Sequence, residues 1–191
     1  MSRKEHLVKT AQNLFYKQGI RSTGIDTVLA ESGVAKKTLY NHFKSKDELI
    51  IATLQRRDQQ FMDMLRLGTQ KYMPAQNGDV RLSRVLAFFD ALAEWIASEN
   101  FSGCMFINAS AEYPRQNDPI HVACTNHKRL VIQFIEELLS SGTFKDSYNL
   151  ARRMALLADG AIVNAHTTND QNAAKEAKAM ALIILESELI P

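Results

Sequence analysis

The chain has little of what staples, breaks or anchors a fold. Its 191 residues include only two cysteines, Cys104 and Cys124, so there is no disulfide framework and the pattern suits a reducing compartment. No run of about 18 apolar residues occurs, which excludes a membrane-spanning helix of the usual kind. The first ten residues carry Arg3, Lys4, Glu5 and Lys9 where an export signal would be apolar. The expectation is a cytoplasmic protein with no membrane partner. Four prolines and eight glycines are few breakers, and abundant Ala and Leu favour helices over strands. Repeats, low-complexity tracts and clear strands are missing. Net charge is nearly missing too, at +2.

That small total conceals an uneven distribution. Residues 1–57 hold 11 Lys/Arg against 5 Asp/Glu, and residues 58–191 hold 12 against 16. A basic head on an acidic body points to a nucleic-acid contact at one end; a solvated basic face without a partner is what charge alone leaves open. With 46% hydrophobic residues the chain can bury a core, as one domain or as a small one fused to a larger.

Helical spacing accounts for most of the chain. Ser2-Arg3-Lys4-Glu5 fits a capping box opening a helix that carries Leu7, Ala11, Leu14 and Phe15, with Gly19 as its stop. Ile20 to Gly24 reads as a loop and Ile25 to Ser32 as a second helix. Gly33 supplies a tight turn. A third helix runs from about Lys36 to His42. Ser45-Lys46-Asp47-Glu48 repeats the capping pattern at the head of a long fourth helix. The third helix buries Leu39 and Phe43, four apart, and leaves a basic, hydrogen-bonding face. Three helices with a three-residue turn between the second and third make a helix-turn-helix. Its expected core is Leu7, Ala11, Leu14, Phe15, Val28, Leu29, Val34, Leu39 and Phe43.

Beyond Gly68 the pattern loosens into a loop over Met73 to Asp79. Further helices are expected over Val80 to Ser98, Cys104 to Glu112, from Pro119 to a stop at Ser141-Gly142, from Asp146 or Ser147, and from Asn172 to about Leu189. The last two are rich in Ala, with Gly160 in the eighth. Small residues allow close helix approach, which suits a tight pair or a dimer seam.

Gly19 to Leu49 resembles the DNA-binding domain of the TetR/AcrR family of bacterial transcriptional regulators. Thr23, Ile25, Val28, Ala30, Gly33-Val34, Lys36, Thr38-Leu39-Tyr40, His42-Phe43, Lys44-Ser45-Lys46 and Glu48-Leu49 carry the likeness, and the nine-helix layout extends it along the chain. The resemblance implies an all-α fold: a helix-turn-helix DNA-binding domain over residues 1–47 and a helical effector-binding and dimerisation domain over residues 48–191. It implies a homodimeric repressor, paired through its two C-terminal helices and released from a pseudo-palindromic operator by a small-molecule effector. It implies no enzyme activity, cofactor or metal. Ala35 departs from the family's usual capping Ser or Thr. Lys37 stands where a small residue is common, and Gly24 replaces a common polar residue.

On double-stranded DNA, Lys37, Thr38 and Asn41 would reach base edges, Lys towards guanine acceptors and Asn towards adenine. Thr23, Lys36, Tyr40, His42 and Lys46 would contact phosphates and set register. In the body, effector candidates are the bulky Phe88, Phe89, Trp95, Met105, Phe106, Phe134, Met154 and Leu157, with Asn108, His121, His127 and Asn164 as polar groups near them. Cys104 and Cys124 join them. Cys104 falls at a helix start in the run Gly103-Cys104-Met105-Phe106, with Glu112 eight on from it, and this pattern resembles a TetR-like subset in which the cysteine senses oxidants or electrophiles. That is the alternative reading, beside a small buried apolar residue, and His166 is a candidate partner. His121, Cys124 and His127 lie on successive turns of one helix, but spacing i, i+3, i+6 drifts about 120° around it, so they converge poorly on a metal. A Cys/His enzyme is the remaining class, and it would have no need of the Gly33 to Lys46 pattern.

Overall fold

A computed structural model of the chain describes residues 2–73, 79–140 and 142–190. They form nine helices: α1 (Arg3–Gln18), α2 (Ile25–Ser32), α3 (Lys36–His42), α4 (Lys46–Tyr72), α5 (Val80–Ile96), α6 (Met105–Glu112), α7 (Pro119–Leu139), α8 (Ser147–Thr168) and α9 (Ala173–Glu188). The fold is all-α, as the spacing predicts. The single extended pairing among the described residues is a β-bridge between Phe144 and Leu189. Pro74 to Gly78 of the expected loop, and Ser141 of the expected helix stop, lie outside the described residues. None of the described helices is long and apolar enough to cross a membrane.

The helix ends follow their residues. Ser2 and Glu5 form the reciprocal capping box on α1. At α4 the Ser45 hydroxyl accepts the Glu48 N–H at 3.2 Å, while the Glu48 carboxylate takes the Lys44 N–H at 2.7 Å. Asp79 and Asp146 cap α5 and α8. Backbone and hydroxyl donors of Ser2 hold Glu5, and the Asn149 N–H holds Asp146, below the usual carboxylate value. The N-cap of α3 is Ala35, with no side-chain cap. Gly33 ends α2 at φ 63° in the left-handed region, a conformation that costs any residue with a Cβ. α4 runs one turn past Gly68, where a Cβ would fall 2.5 Å from the Ala91 side chain. Glycine is the residue that admits this approach of α4 to α5.

The described residues divide into two compact units, Met1–Gln60 with Cys104–His127, and Phe61–Gly103 with Lys128–Pro191. This differs from an expected boundary at residue 47/48, because α6 and the start of α7 pack with the head. In the first unit α1 packs on α2 and α3. Leu7, Ala11, Phe15, Val28, Val34, Leu39 and Phe43 are buried as expected; Leu14 and Leu29 are half-buried. Ile20, read from sequence as loop, joins this core at 2% exposure. In the second unit α9 packs on α5 and α8 over Phe88, Phe89, Leu92, Met154, Ala158, Ala177, Ala181 and Leu185, all buried. Lys178 of α9 pairs with Asp90 of α5 at 2.7 Å.

Candidate nucleic-acid interface and effector region

α3 is held by its apolar side. Leu39 is 0% exposed and Phe43, its C-cap, 4%. Burying a side chain of this size is worth about 1.5–3 kcal/mol. The Lys4 ammonium lies 5.6 Å from the centre of the Phe43 ring, and His6 of α1 donates to the Ser32 carbonyl at 3.0 Å. The first contact ties the end of α3 to α1, and the second ties the end of α2 to α1. The opposite face is open: Lys36, Lys37, Tyr40, Asn41 and His42 are exposed and Thr38 half-buried. Lys36 makes a loose surface pair with Asp26 at 3.6 Å. Six of the eight residues expected to touch DNA lie on this face.

Thr23 and Lys46 are placed differently. Thr23 is fully buried, and its hydroxyl donates to the Gly19 carbonyl at 2.8 Å. Its side chain closes the turn after α1 and does not lie on the exposed face of α3. Lys46 has an internal task that its position in the pattern does not reveal. Its Nζ donates to the Ile20 carbonyl at 2.6 Å and lies 5.8 Å from the centre of the Phe15 ring. Burial lowers its pKa, opposed by the Glu112 and Asp47 carboxylates.

Glu112, at the end of α6, has a task that the sequence pattern around Cys104 does not reveal. Its carboxylate accepts the Ile20 N–H at 2.9 Å and the Arg21 N–H at 2.6 Å. Ile20 thus has its N–H on an anionic side chain and its carbonyl on a cationic one. The α1–α2 turn is held by residues from α4 and α6, and Arg21 lies over the Tyr113 ring at 5.4 Å. No local pattern marks such a pairing, since Glu112 lies 92 residues from Ile20.

The effector candidates are divided between the two units. In the first, Met105, Phe106, Cys104 and Cys124 are buried. The His127 ring is 2% exposed, stacks on Phe106 at 3.6 Å, and donates to Asp58 at 2.6 Å. His121 donates instead to the Tyr113 carbonyl at 2.7 Å. No group of three or more His, Cys, Asp or Glu among the described residues is placed to hold a metal ion. Cys104 is the N-cap of α6 and 6% exposed. Asn108 is exposed, a correction to its place beside the bulky set.

In the second unit Phe88 meets Phe89 at 5.2 Å and Phe134 at 6.4 Å between ring centres. Trp95 lies between Phe61 and Phe101, each at 5.0 Å. Phe88, Phe89 and Met154 are fully buried core. His166 packs on Gly103 and on the edge of Phe101. Asn164 is corrected: it is exposed on α8, its amide donating to the Gly160 carbonyl at 2.9 Å, and it lines a groove between α8 and α9. Phe134 lines a cavity of about 270 Å³ with Arg66, Thr69 and Arg84.

A short helix docked by two apolar residues, preceded by a left-handed glycine turn and offering a basic polar face, defines a helix-turn-helix DNA-binding protein. Residues 7–53 match the family described as "Bacterial regulatory proteins, tetR family", and residues 82–181 match the "Tetracyclin repressor-like, C-terminal domain". The chain belongs to the TetR family of DNA-binding transcriptional regulators. Among solved structures it is similar to SCO4454, a TetR-family regulator from Streptomyces coelicolor, at 30% identity and TM-score 0.84, covering 97% of this chain and 95% of that one. Among curated proteins it is similar to the HTH-type transcriptional regulator YjdC of Escherichia coli, 25% identical over 83% of this chain and 81% of that protein. It is also similar to the HTH-type transcriptional repressor NemR of the same organism, 26% identical over 73% and 68%.

Proposed function

We infer that the chain is a homodimeric repressor that reads a pseudo-palindromic operator through α3 and leaves it when a small-molecule effector binds the helical body. The observation that carries this is the division of α3: Leu39 and Phe43 buried, and Lys36, Lys37, Tyr40, Asn41 and His42 exposed. Lys37, Thr38 and Asn41 read bases, and Lys36, Tyr40 and His42 hold phosphates. Lys46 has ammonium hydrogens beyond the one given to Ile20 and serves both the turn and the backbone of DNA. Residues 1–47 carry the reading head and 48–191 the effector and dimer functions. The name of the relative NemR supports the repressor role.

Pairing through α8 and α9 is supported by the apolar side chains they expose: Leu156 at 73%, Val163 at 42%, Met180 at 52% and Ile183 at 68%. Contiguous exposed apolar surface of this kind marks an interaction site, and two such helix pairs make a four-helix seam. Two heads then address half-sites about one helical turn apart. Burial of Cys104 favours a packing role over a reactive thiol, which needs partial exposure.

The test is binding to a duplex selected by the protein from randomised DNA. Lys36→Ala and Tyr40→Ala should weaken binding to all sequences, and Lys36→Ala should lower the salt slope by about 1. Lys37→Ala should cost about 1–3 kcal/mol and relax preference at one position per half-site. Unchanged affinity in all three variants would remove α3 from the interface.

A further inference from the structure

We propose that the cavity between α4, α5 and α7 is a binding site for a small organic carboxylate, and that this is the chemical class of the effector; the second clause rests on the effector-responsive reading above. The cavity holds about 270 Å³ and is lined by Arg66, Thr69, Arg84, Phe134, Glu137 and Leu138 among others. All of these belong to one compact unit.

Three observations converge on an anion with an apolar body. Phe134 and Leu138 are buried at 6% and 7% exposure and give the wall an apolar surface. Two guanidinium groups stand against one carboxylate, Glu137, in the lining, which leaves a net positive site. Arg66 lies over the Phe134 ring at 5.8 Å, with Asp63 no nearer than 3.9 Å; Arg84 has no ion pair among the described residues. The third observation is Thr69. It is 4% exposed, and its Oγ1 is buried with no hydrogen-bond partner among the described residues. The hydroxyls of Thr53 in α4 and Thr167 in α8, by contrast, return to the Ile50 and Val163 carbonyls of their own helices. A buried hydroxyl without a partner is a cost that a bound acceptor removes once the side chain turns to the cavity. A carboxylate supplies that acceptor. It also fits the planar fork of an arginine with two parallel hydrogen bonds. The hydrocarbon part of the ligand then lies on Phe134 and Leu138, as small-molecule sites combine apolar walls with a few polar anchors.

The measurement is calorimetric titration of the full chain with 1-naphthoate and octanoate, beside the neutral amides of both and inorganic phosphate. At least one acid should bind, and its amide should bind about tenfold weaker or worse, as expected for loss of charge-assisted hydrogen bonds. Arg84→Gln and Arg66→Gln should each weaken the acid about tenfold and leave the amide unchanged. Both side chains are exposed, so melting by circular dichroism should match the parent chain. Thr69→Val, close in shape, should weaken the acid several-fold. The site is overturned if neither acid binds, if acid and amide bind alike, if phosphate competes as well as the acid, or if both arginine variants bind as the parent does. Release of the selected DNA is measured separately. Acid binding without release leaves the site standing and overturns its effector role. Release by other compounds, with neither acid bound, leaves the regulator reading standing and overturns the carboxylate site.

Discussion

Ile20 shows how a single residue can hold a DNA-reading head together. Its side chain is buried, its N–H goes to Glu112 and its carbonyl to Lys46. The carboxylate bonds are charge-assisted and partly solvated. Glu112→Gln should therefore destabilise the chain by about 1.5 kcal/mol, at the low end for hydrogen bonds to charged groups, as read by chemical denaturation. It should also loosen the α1–α2 turn, seen as faster amide hydrogen exchange at Ile20 and Arg21. Stability and exchange both unchanged would show that the two bonds contribute nothing. Thr23 belongs to the same turn, where its hydroxyl closes the backbone after Gly19. Residue type alone could not tell that inward hydroxyl from one reaching a phosphate, because a threonine serves either purpose equally well.

The helices differ in how their first turns are finished. α1, α5 and α8 have side-chain caps, and α3 has only Ala35. The Thr38 N–H turns back to the Ala35 carbonyl at 2.9 Å, and no side chain caps the first turn of α3. Ala35 already has the extended backbone of an N-cap, φ −63° and ψ 142°, so Ala35→Ser adds an acceptor without moving the chain. The expected gain is about 1 kcal/mol, measurable as a rise in the thermal midpoint; a fall would mean that the serine hydroxyl finds no α3 donor. This element was legible from its residues. Leu39 and Phe43 are one turn apart, Gly33 precedes them, and the missing cap at Ala35 shows in the sequence itself. Helix periodicity carried the rest of the element order for the same reason: each amphipathic helix records in its own spacing which side it buries.

For the whole molecule, the exposed stripe of Leu156, Val163, Met180 and Ile183 on α8 and α9 sets the expectation of a dimer. Leu156→Glu with Ile183→Glu should shift sedimentation from dimer to monomer and lower operator affinity at least tenfold, because a lone head loses its second half-site. Each residue is already exposed, so the fold should be retained. A dimer that survives both charges would move the seam elsewhere. The sequence by itself determined the all-α class, the order of nine helices, the docked face of α3 and the family likeness, since these are written in local spacing and in a contiguous motif. Tertiary structure alone decided what distance in sequence conceals. It turned Thr23 inward and joined Glu112 to Ile20. It drew α6 into the unit of the DNA-reading head and set Arg66, Thr69 and Arg84 around one cavity. Such contacts arise from how helices pack, and packing depends on the combined shape of many side chains, which no single helix carries. The basic α3 at the head of this chain is therefore a local fact, whereas the turn that steadies it is a property of the folded molecule.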